Sequence, residues 1–227
     1  MGRLGGVKVQ KRSASRGETK GSPWTPSTAA PAPIDAAMGA DPLWRDQVTI
    51  TGLPAPTPGL VPLSAVETIP HLELTDAPRV AIMGLHGGAG ASTVAGLLGE
   101  GTLDTSCRWP QYVGWERPLP DIPVVVVTRT HHRGIEAADK FARAWAAGSL
   151  APSRLVGLVV IDDGPRLLQD QQRAVRRLAQ LTPSAWHLPW QDTWRIEPPT
   201  PQTFSTRLRR TLAAIEASIS PSNGATK

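Results

Sequence analysis

The chain has 227 residues, of which 40% are hydrophobic, so one domain of ordinary size plus a tail can form around a real core. The formal net charge is +5, mildly basic and far from histone-like. The single cysteine, Cys107, excludes an internal disulfide and a cysteine-based zinc site. No apolar run approaches the roughly 18 residues of a membrane span, and no apolar stretch follows the basic start as in a signal peptide. A cytoplasmic protein is therefore expected.

Residues 1–20 carry Arg3, Lys8, Lys11, Arg12, Arg16 and Lys20 against one acid, Glu18. Residues 21–78 are dense in proline, which forbids long helices and central strands. Residues 1–76 thus read as a tail, basic and then Pro/Ala-rich, mostly disordered or extended. Its short apolar patches, such as Leu43-Trp44 and Val48-Thr49-Ile50, could dock onto the domain or a partner.

The texture changes at Arg79. Arg79–Met83 is an apolar run ending at a glycine loop and reads as a buried strand. Ser92–Leu98 reads as a helix, and Gly101–Pro120 as irregular. Ile122–Thr128 is a second strand. Gly134–Ala147 follows as a helix with Ile135, Ala138, Ala142 and Trp145 on one face and Gly148 placed to end it. Leu155–Ile161 is a third strand, apolar throughout as a central parallel strand should be. The next helix is expected to open at Pro165, capped by Asp163 or Gly164, with Leu168 on its apolar side. Ala185–Leu188 is a short last strand. Thr200-Pro201 is expected to open the last helix, striped by Phe204, Leu208, Leu212, Ile215 and Ile219.

Strands alternating with helices predict an α/β fold over 77–221, a mostly parallel sheet with helices on both faces, followed by a disordered C-terminus at 222–227. In such sheets the loops at the carboxyl ends of the strands build the site. Here those loops are Gly84–Ala91, Arg129–Gly134, Asp162–Pro165 and Pro189–Arg195.

The first of these reads Gly84-Leu-His86-Gly87-Gly88-Ala-Gly90-Ala91-Ser92-Thr93 between a strand and a helix. Glycines let the backbone aim several N–H groups at an anion, and the helix start adds partial positive charge. Ser92 or Thr93 offers a hydroxyl to Mg²⁺. The segment resembles the deviant phosphate loop of ParA/MinD-type P-loop NTPases, matching it at Gly87, Gly88, Gly90 and Ser92. It departs at His86, where the family carries its signature lysine, and at Ala91, where a lysine neutralises charge in phosphoryl transfer. His86 replaces that charge only when protonated. The resemblance implies a truncated P-loop NTPase-like fold and binding of ATP or GTP with Mg²⁺. It also implies a subunit that sandwiches nucleotide as a homodimer. The interval between Thr93 and Ile122 shows no apolar strand ending in the aspartate that the family would place there. The competing reading of the loop is a glycine-rich turn that binds nothing.

Val159-Val-Ile-Asp162-Asp163 reads like a metal-binding acid at the end of a buried strand, which puts Asp162 beside Ser92 as a metal candidate. Alternatively Asp163 caps the following helix. Arg129 or Arg133 could supply the cation missing at Ala91. His131 and His132 are adjacent and face different ways, so they make no zinc site alone. Of eight tryptophans, Trp186, Trp190 and Trp194 recur at intervals of four. They serve packing, with Trp190 the candidate to stack on a nucleobase or a partner. No residue set forms a catalytic triad.

The glycine loop together with VVVVTRTH, GLVVIDDGPRL and WHLPWQDTWR also resembles an uncharacterised family of actinobacterial proteins often found beside conjugation or mobile-element genes. Three functions follow as expectations. One is a degenerate nucleotide-binding switch or scaffold with little or no hydrolysis. Another is a protein-interaction module that kept the fold and lost the ligand. The third is a nucleic-acid accessory protein, in plasmid transfer or partition, using residues 1–20 as its electrostatic contact.

Overall fold

The computed structural model describes residues 2, 47–59, 68–114, 121–150 and 152–220, and the fold below lies within the unit Ala40–Lys227. Its strands are β1 (Thr49–Thr51), β2 (His71–Leu74), β3 (Val80–Gly84), β4 (Thr102–Asp104), β5 (Trp109–Tyr112), β6 (Pro123–Arg129), β7 (Arg154–Ile161) and β8 (Ser184–Leu188). Its α-helices are α1 (Ala91–Leu98), α2 (His132–Ala146), α3 (Gln169–Gln180) and α4 (Thr206–Ile219).

Six strands form the main sheet in the order β1-β8-β7-β6-β3-β4. All pairs are parallel except β1 with β8. The expected α/β architecture with a mostly parallel sheet is thus present. The valine-rich strands alternate between two cores, as side chains on a strand must. Ala81, Met83, Val124 and Val126 join Phe141, Trp145 and Leu178 on the α2–α3 side. Val80, Ile82, Val125 and Val127 join Val94, Leu208 and Ile215 on the α1–α4 side. In β7 the register slips by one residue, so Val124 pairs Leu155 and Val125 pairs Gly157. This bulge shifts the alternation of β7 between Val156 and Leu158. Gly157 is required there, because a Cβ would lie 2.3 Å from Ser184 O and 2.5 Å from the Trp186 ring.

Four strands escaped the sequence reading. β1 and β2 fall inside the segment 1–76 that reads as a tail, and β4 and β5 inside the stretch 101–120 that reads as irregular. Each has three or four residues, too few for a periodic signal, and pairing defines them instead. Thr49–Thr51 docks on the domain at the edge of β8, and Trp186 Nε1 donates to Thr49 Oγ1 at 3.1 Å. β2 and β5 form a separate parallel pair that buries Trp109 and Tyr112. Pro110 is tolerated because this pair has open edges. β4 ends in Asp104, so an aspartate does close a strand between Thr93 and Ile122.

Two helix starts also move. α3 begins at Gln169, not Pro165. Asp163 turns to Arg129 instead of capping, and Gln171 Oε1 accepts from Leu168 N–H at 2.8 Å. Leu168 is consequently exposed rather than apolar lining. α4 is capped by Ser205, whose Oγ accepts from Leu208 N–H at 3.2 Å, while Pro201–Thr203 makes a separate 3-10 turn. α2 ends as expected, with Gly148 at φ 76° after the C-cap Ala147. The segments 3–20 and 221–227, with their expected nucleic-acid contact and disordered end, lie outside the described residues, as does Trp115.

Candidate functional site at the sheet switch point

The order in which strands are added to the sheet reverses between β3 and β6, which themselves run parallel. The crossover from β3 through α1 runs to β4 on one side, and those from β6 through α2 and from β7 through α3 run to the other. Loops after such a pair bound a crevice where doubly wound sheets take ligands. The glycine loop and the segment after β6 are those two loops.

The glycine loop is anchored at its root. Gly84 N–H donates to Ser106 O at 2.6 Å and Leu85 N–H to Val127 O at 2.9 Å. Ala89 N–H closes a turn on His86 O. Gly88 and Gly90 take φ of 76° and 99°, the left-handed region that glycine enters without a Cβ penalty. A Cβ on Gly90 would also meet Ile161 Cδ1 at 2.7 Å. Gly87 and Gly88 are exposed, and a Cβ on either meets nothing within 4 Å. Gly90 is the N-cap of α1 and brings no side-chain acceptor. No side chain at the N-cap therefore accepts from the first-turn donors of α1. Thr93 is half-buried on that turn, and Ala91 is buried in the α1–α4 core, so neither presents a cation.

Ser92 is exposed at the start of α1, and its Oγ donates to Asp104 Oδ2 at 2.5 Å. Asp104 Oδ1 in turn accepts from Ser106 N–H at 2.7 Å. β4 runs parallel to β3 with Asp104 opposite Ile82, which delivers the carboxylate to the helix start. A hydroxyl and a carboxylate in contact are hard oxygen ligands of the kind Mg²⁺ takes. Asp162, the other metal candidate, has other partners. Its Oδ1 meets His187 Nε2 at 2.9 Å in a buried pair, and its Oδ2 accepts from Trp190 N–H at 3.3 Å. The missed acid was hidden because Thr-Leu-Asp is too short to read as a strand.

The opposite wall is the segment after β6. Arg129 places Nη1 3.8 Å from Asp163 Oδ1, and its Nε is buried without a hydrogen-bond partner among the described residues. Thr130 Oγ1 accepts from Asp163 N–H, and Thr130 O accepts from Gln171 Nε2, which laces the loops after β6 and β7 together. Arg133 is exposed on the first turn of α2. His86 does not aim at the loop opening. Its Nδ1 meets Gly87 O at 2.9 Å, and its Nε2 accepts from Arg129 N–H at 3.3 Å. Its ring lies 4.7 Å, centroid to centroid, from that of His131, which caps α2 by accepting Gly134 N–H on Nδ1.

Trp186 is fully buried and Trp194 half-buried. Trp190 is partly exposed, its Nε1 donating to Asp192 Oδ1 and the Arg195 guanidinium 5.8 Å from its ring centroid. Two strands, β6 and β7, separate its strand β8 from β3. An apolar cavity of about 340 Å³ is lined by Met83, Leu85 and Cys107 together with Ile69, Lys140 and Phe141. Burial, and then the charge of Asp104, push the Cys107 thiol above its ordinary range.

Among the described residues there is no group of three or more His, Cys, Asp or Glu that could hold a metal by itself. Among them, too, no helix is long and apolar enough to cross a membrane. No match to the chain was found among curated proteins or solved structures. Residues 79–212, which hold the glycine loop, β4, Arg129 and the tryptophan segment through the first half of α4, match a family of unknown function, and the chain belongs to that family, DUF6668.

Proposed function

We propose that the β3–α1 loop binds the phosphates of a nucleotide with Mg²⁺ and hydrolyses it slowly or not at all, so that the chain serves as a nucleotide-responsive switch or scaffold in a larger assembly. The observation that carries this reading is the Ser92–Asp104 contact at the start of a helix with no side-chain cap. Behind it stands an open glycine turn with free space over Gly87 and Gly88. Backbone N–H groups there suit phosphate oxygens. Ser92 and Asp104 would hold the cation, which when bound supplies neutralisation of phosphate charge. Slow turnover follows from Ala91, since no side chain at that position can meet charge developing in phosphoryl transfer. Arg129, on the segment facing the loop, is the candidate substitute, and Asp163 draws on it.

Calorimetric titration of the full chain with Mg-ATP and then Mg-GTP tests the proposal. Saturable binding that Gly88→Asp abolishes supports it, and no heat up to about millimolar nucleotide, the weak end of useful affinity, rejects it. A second reading, a protein-interaction module, draws on Leu168 and Ile196, which are 72% and 87% exposed in the loops after β7 and β8. Under that reading nucleotide has no effect, and Leu168→Ser with Ile196→Ser abolishes association with a partner or with a second copy.

A further inference from the structure

The loops after β3 and β6 meet through two imidazoles whose hydrogen bonds dictate their protonation. A carbonyl only accepts, so the contact of His86 Nδ1 with Gly87 O at 2.9 Å needs a hydrogen on Nδ1. A backbone N–H only donates, so the contact of Arg129 N–H with His86 Nε2 at 3.3 Å needs a bare Nε2. Both contacts coexist only in the neutral ring. His131 is constrained likewise, because Nδ1 accepts from Gly134 N–H at 3.0 Å as the cap of α2 and must carry no hydrogen. The rings lie 4.7 Å apart and tilted by 59°. Gly134 makes room for this arrangement, since a Cβ there would sit 3.0 Å from His86 Nε2.

We infer that His86 and His131 form a proton-operated latch between the glycine loop and the start of α2. A proton on His86 Nε2 sets one N–H against another at Arg129. A proton on His131 Nδ1 removes the α2 cap. With both protonated, two cations face each other at ring-contact distance. Each event favours separation of the loops, and histidine is the side chain that ordinarily gains its proton between about pH 8 and pH 5. The other charged groups on the elements packed around the pair are Arg129, His132 and Arg133 from the same segment, and from α2 Glu136, which pairs with Lys140, and Asp139, which pairs with Arg143 and Arg177. The loops after β7 and β4 add Asp163, and Asp104 and Arg108. Asp163 is engaged by Arg129 and Asp104 by Ser92 and Ser106, so neither carboxylate pairs with an imidazolium in this arrangement. The latch stands whether or not the glycine loop takes phosphate.

The test is amide hydrogen exchange of the full chain at about pH 7.5 and about pH 5.5, either side of ordinary imidazole titration and corrected for intrinsic rates. Protection over 85–90 and 129–134 is expected to fall on the order of tenfold at the lower pH, reversibly, while β6 and β7 stay protected. His86→Gln with His131→Asn keeps a donor and acceptor at the first position and an acceptor cap at the second, but neither takes a proton. This double variant is expected to keep both loops protected at both pH values. His86→Ala is expected to lose protection at both. The latch is overturned by equal wild-type protection at the two pH values, by a double variant that retains the pH step, or by His86→Ala protected like wild type at the higher pH.

Discussion

Ser92 and Asp104 arrive from different elements, the first turn of α1 and the last residue of β4, and their side chains meet at 2.5 Å. The register of β4 on β3 creates the contact, placing Asp104 level with Ile82 just before the glycine loop begins. A carboxylate and a hydroxyl are thereby held together beside uncapped helix donors.

If that pair holds Mg²⁺ under a bound nucleotide, Ser92→Ala and Asp104→Asn should each weaken Mg-nucleotide binding at least tenfold, about 1.4 kcal/mol. Binding measured with EDTA in place of Mg²⁺ should be weak in wild type and insensitive to either change. Calorimetry on the three proteins checks this, and Mg²⁺-independent affinity equal in all three would remove the pair from the site. In the absence of ligand Ser92→Ala should be mild, about 1 kcal/mol for one hydrogen bond, because Ser92 is exposed.

The glycines divide into two kinds, and stability should separate them. A Cβ on Gly134 would sit 2.2 Å from Arg129 O, and one on Gly157 2.3 Å from Ser184 O, both backbone atoms that cannot step aside. Gly134→Ala and Gly157→Ala should each cost on the order of 3 kcal/mol or more in urea unfolding. Gly87→Ala, open on all sides, should leave the unfolding midpoint within about 0.5 kcal/mol of wild type. A destabilised Gly87→Ala would mean that the turn has no room for a side chain at this position.

The same residues show what a sequence discloses and what it withholds. Val124–Val127 and Leu155–Ile161 are apolar because both sheet faces are covered, so composition alone exposes them as central strands. The glycine loop was legible because left-handed backbone leaves glycines in the text. β1, β2, β4 and β5 were not, since three or four residues carry no periodicity and their definition lies in a partner strand far along the chain. Asp104 was hidden for that reason. The role of His86 was hidden for another, because spacing offers its ring to a ligand while tertiary contacts turn both nitrogens onto backbone. Asp162 ended the right strand and still found His187, since β8 lies closer to it than β3 does.

The Asp162–His187 pair should matter for stability. Both are buried, and Asp162 also receives Trp190 N–H, so Asp162→Ala leaves two donors without an acceptor. Leaving buried hydrogen-bonding groups without partners costs about 1–3 kcal/mol each. A loss near the lower end for each is expected in urea unfolding, with an unchanged denaturant slope. A loss under about 1 kcal/mol would show that water reaches the vacated site.

Cys107 should be a poor nucleophile at neutral pH. The thiolate reacts, and burial first, then Asp104, disfavour it by raising the thiol above its usual range. Alkylation by iodoacetamide should therefore lag behind that of a free cysteine near pH 7 and should catch up as pH rises. Asp104→Asn should accelerate it only in part, because burial is the larger cause and persists. A rate equal to that of free cysteine near neutral pH would contradict the assignment.

The N-terminal boundary of the folded unit is open to a truncation test. A fragment starting at residue 77 removes β1 and β2. That strips Thr49 from the Trp186 indole, and Gly52 and Leu53 N–H from Pro183 O and Gln180 O. It also strips Pro70 O from Trp109 N–H, beside a tryptophan that is fully buried in the intact chain. Trp109 and Trp186 would then lose a wall of their packing, and β8 would become an open sheet edge. A fragment 77–227 should accordingly unfold at lower urea than a fragment 47–227, by roughly 3 kcal/mol for the lost pairing and burial, and should bind more of a hydrophobic dye. A fragment 47–227, which keeps both strands, should hold that margin over 77–227. Equal stability of the two fragments would make Thr49–Thr51 and His71–Leu74 dispensable ornaments on a core complete from Arg79 onward.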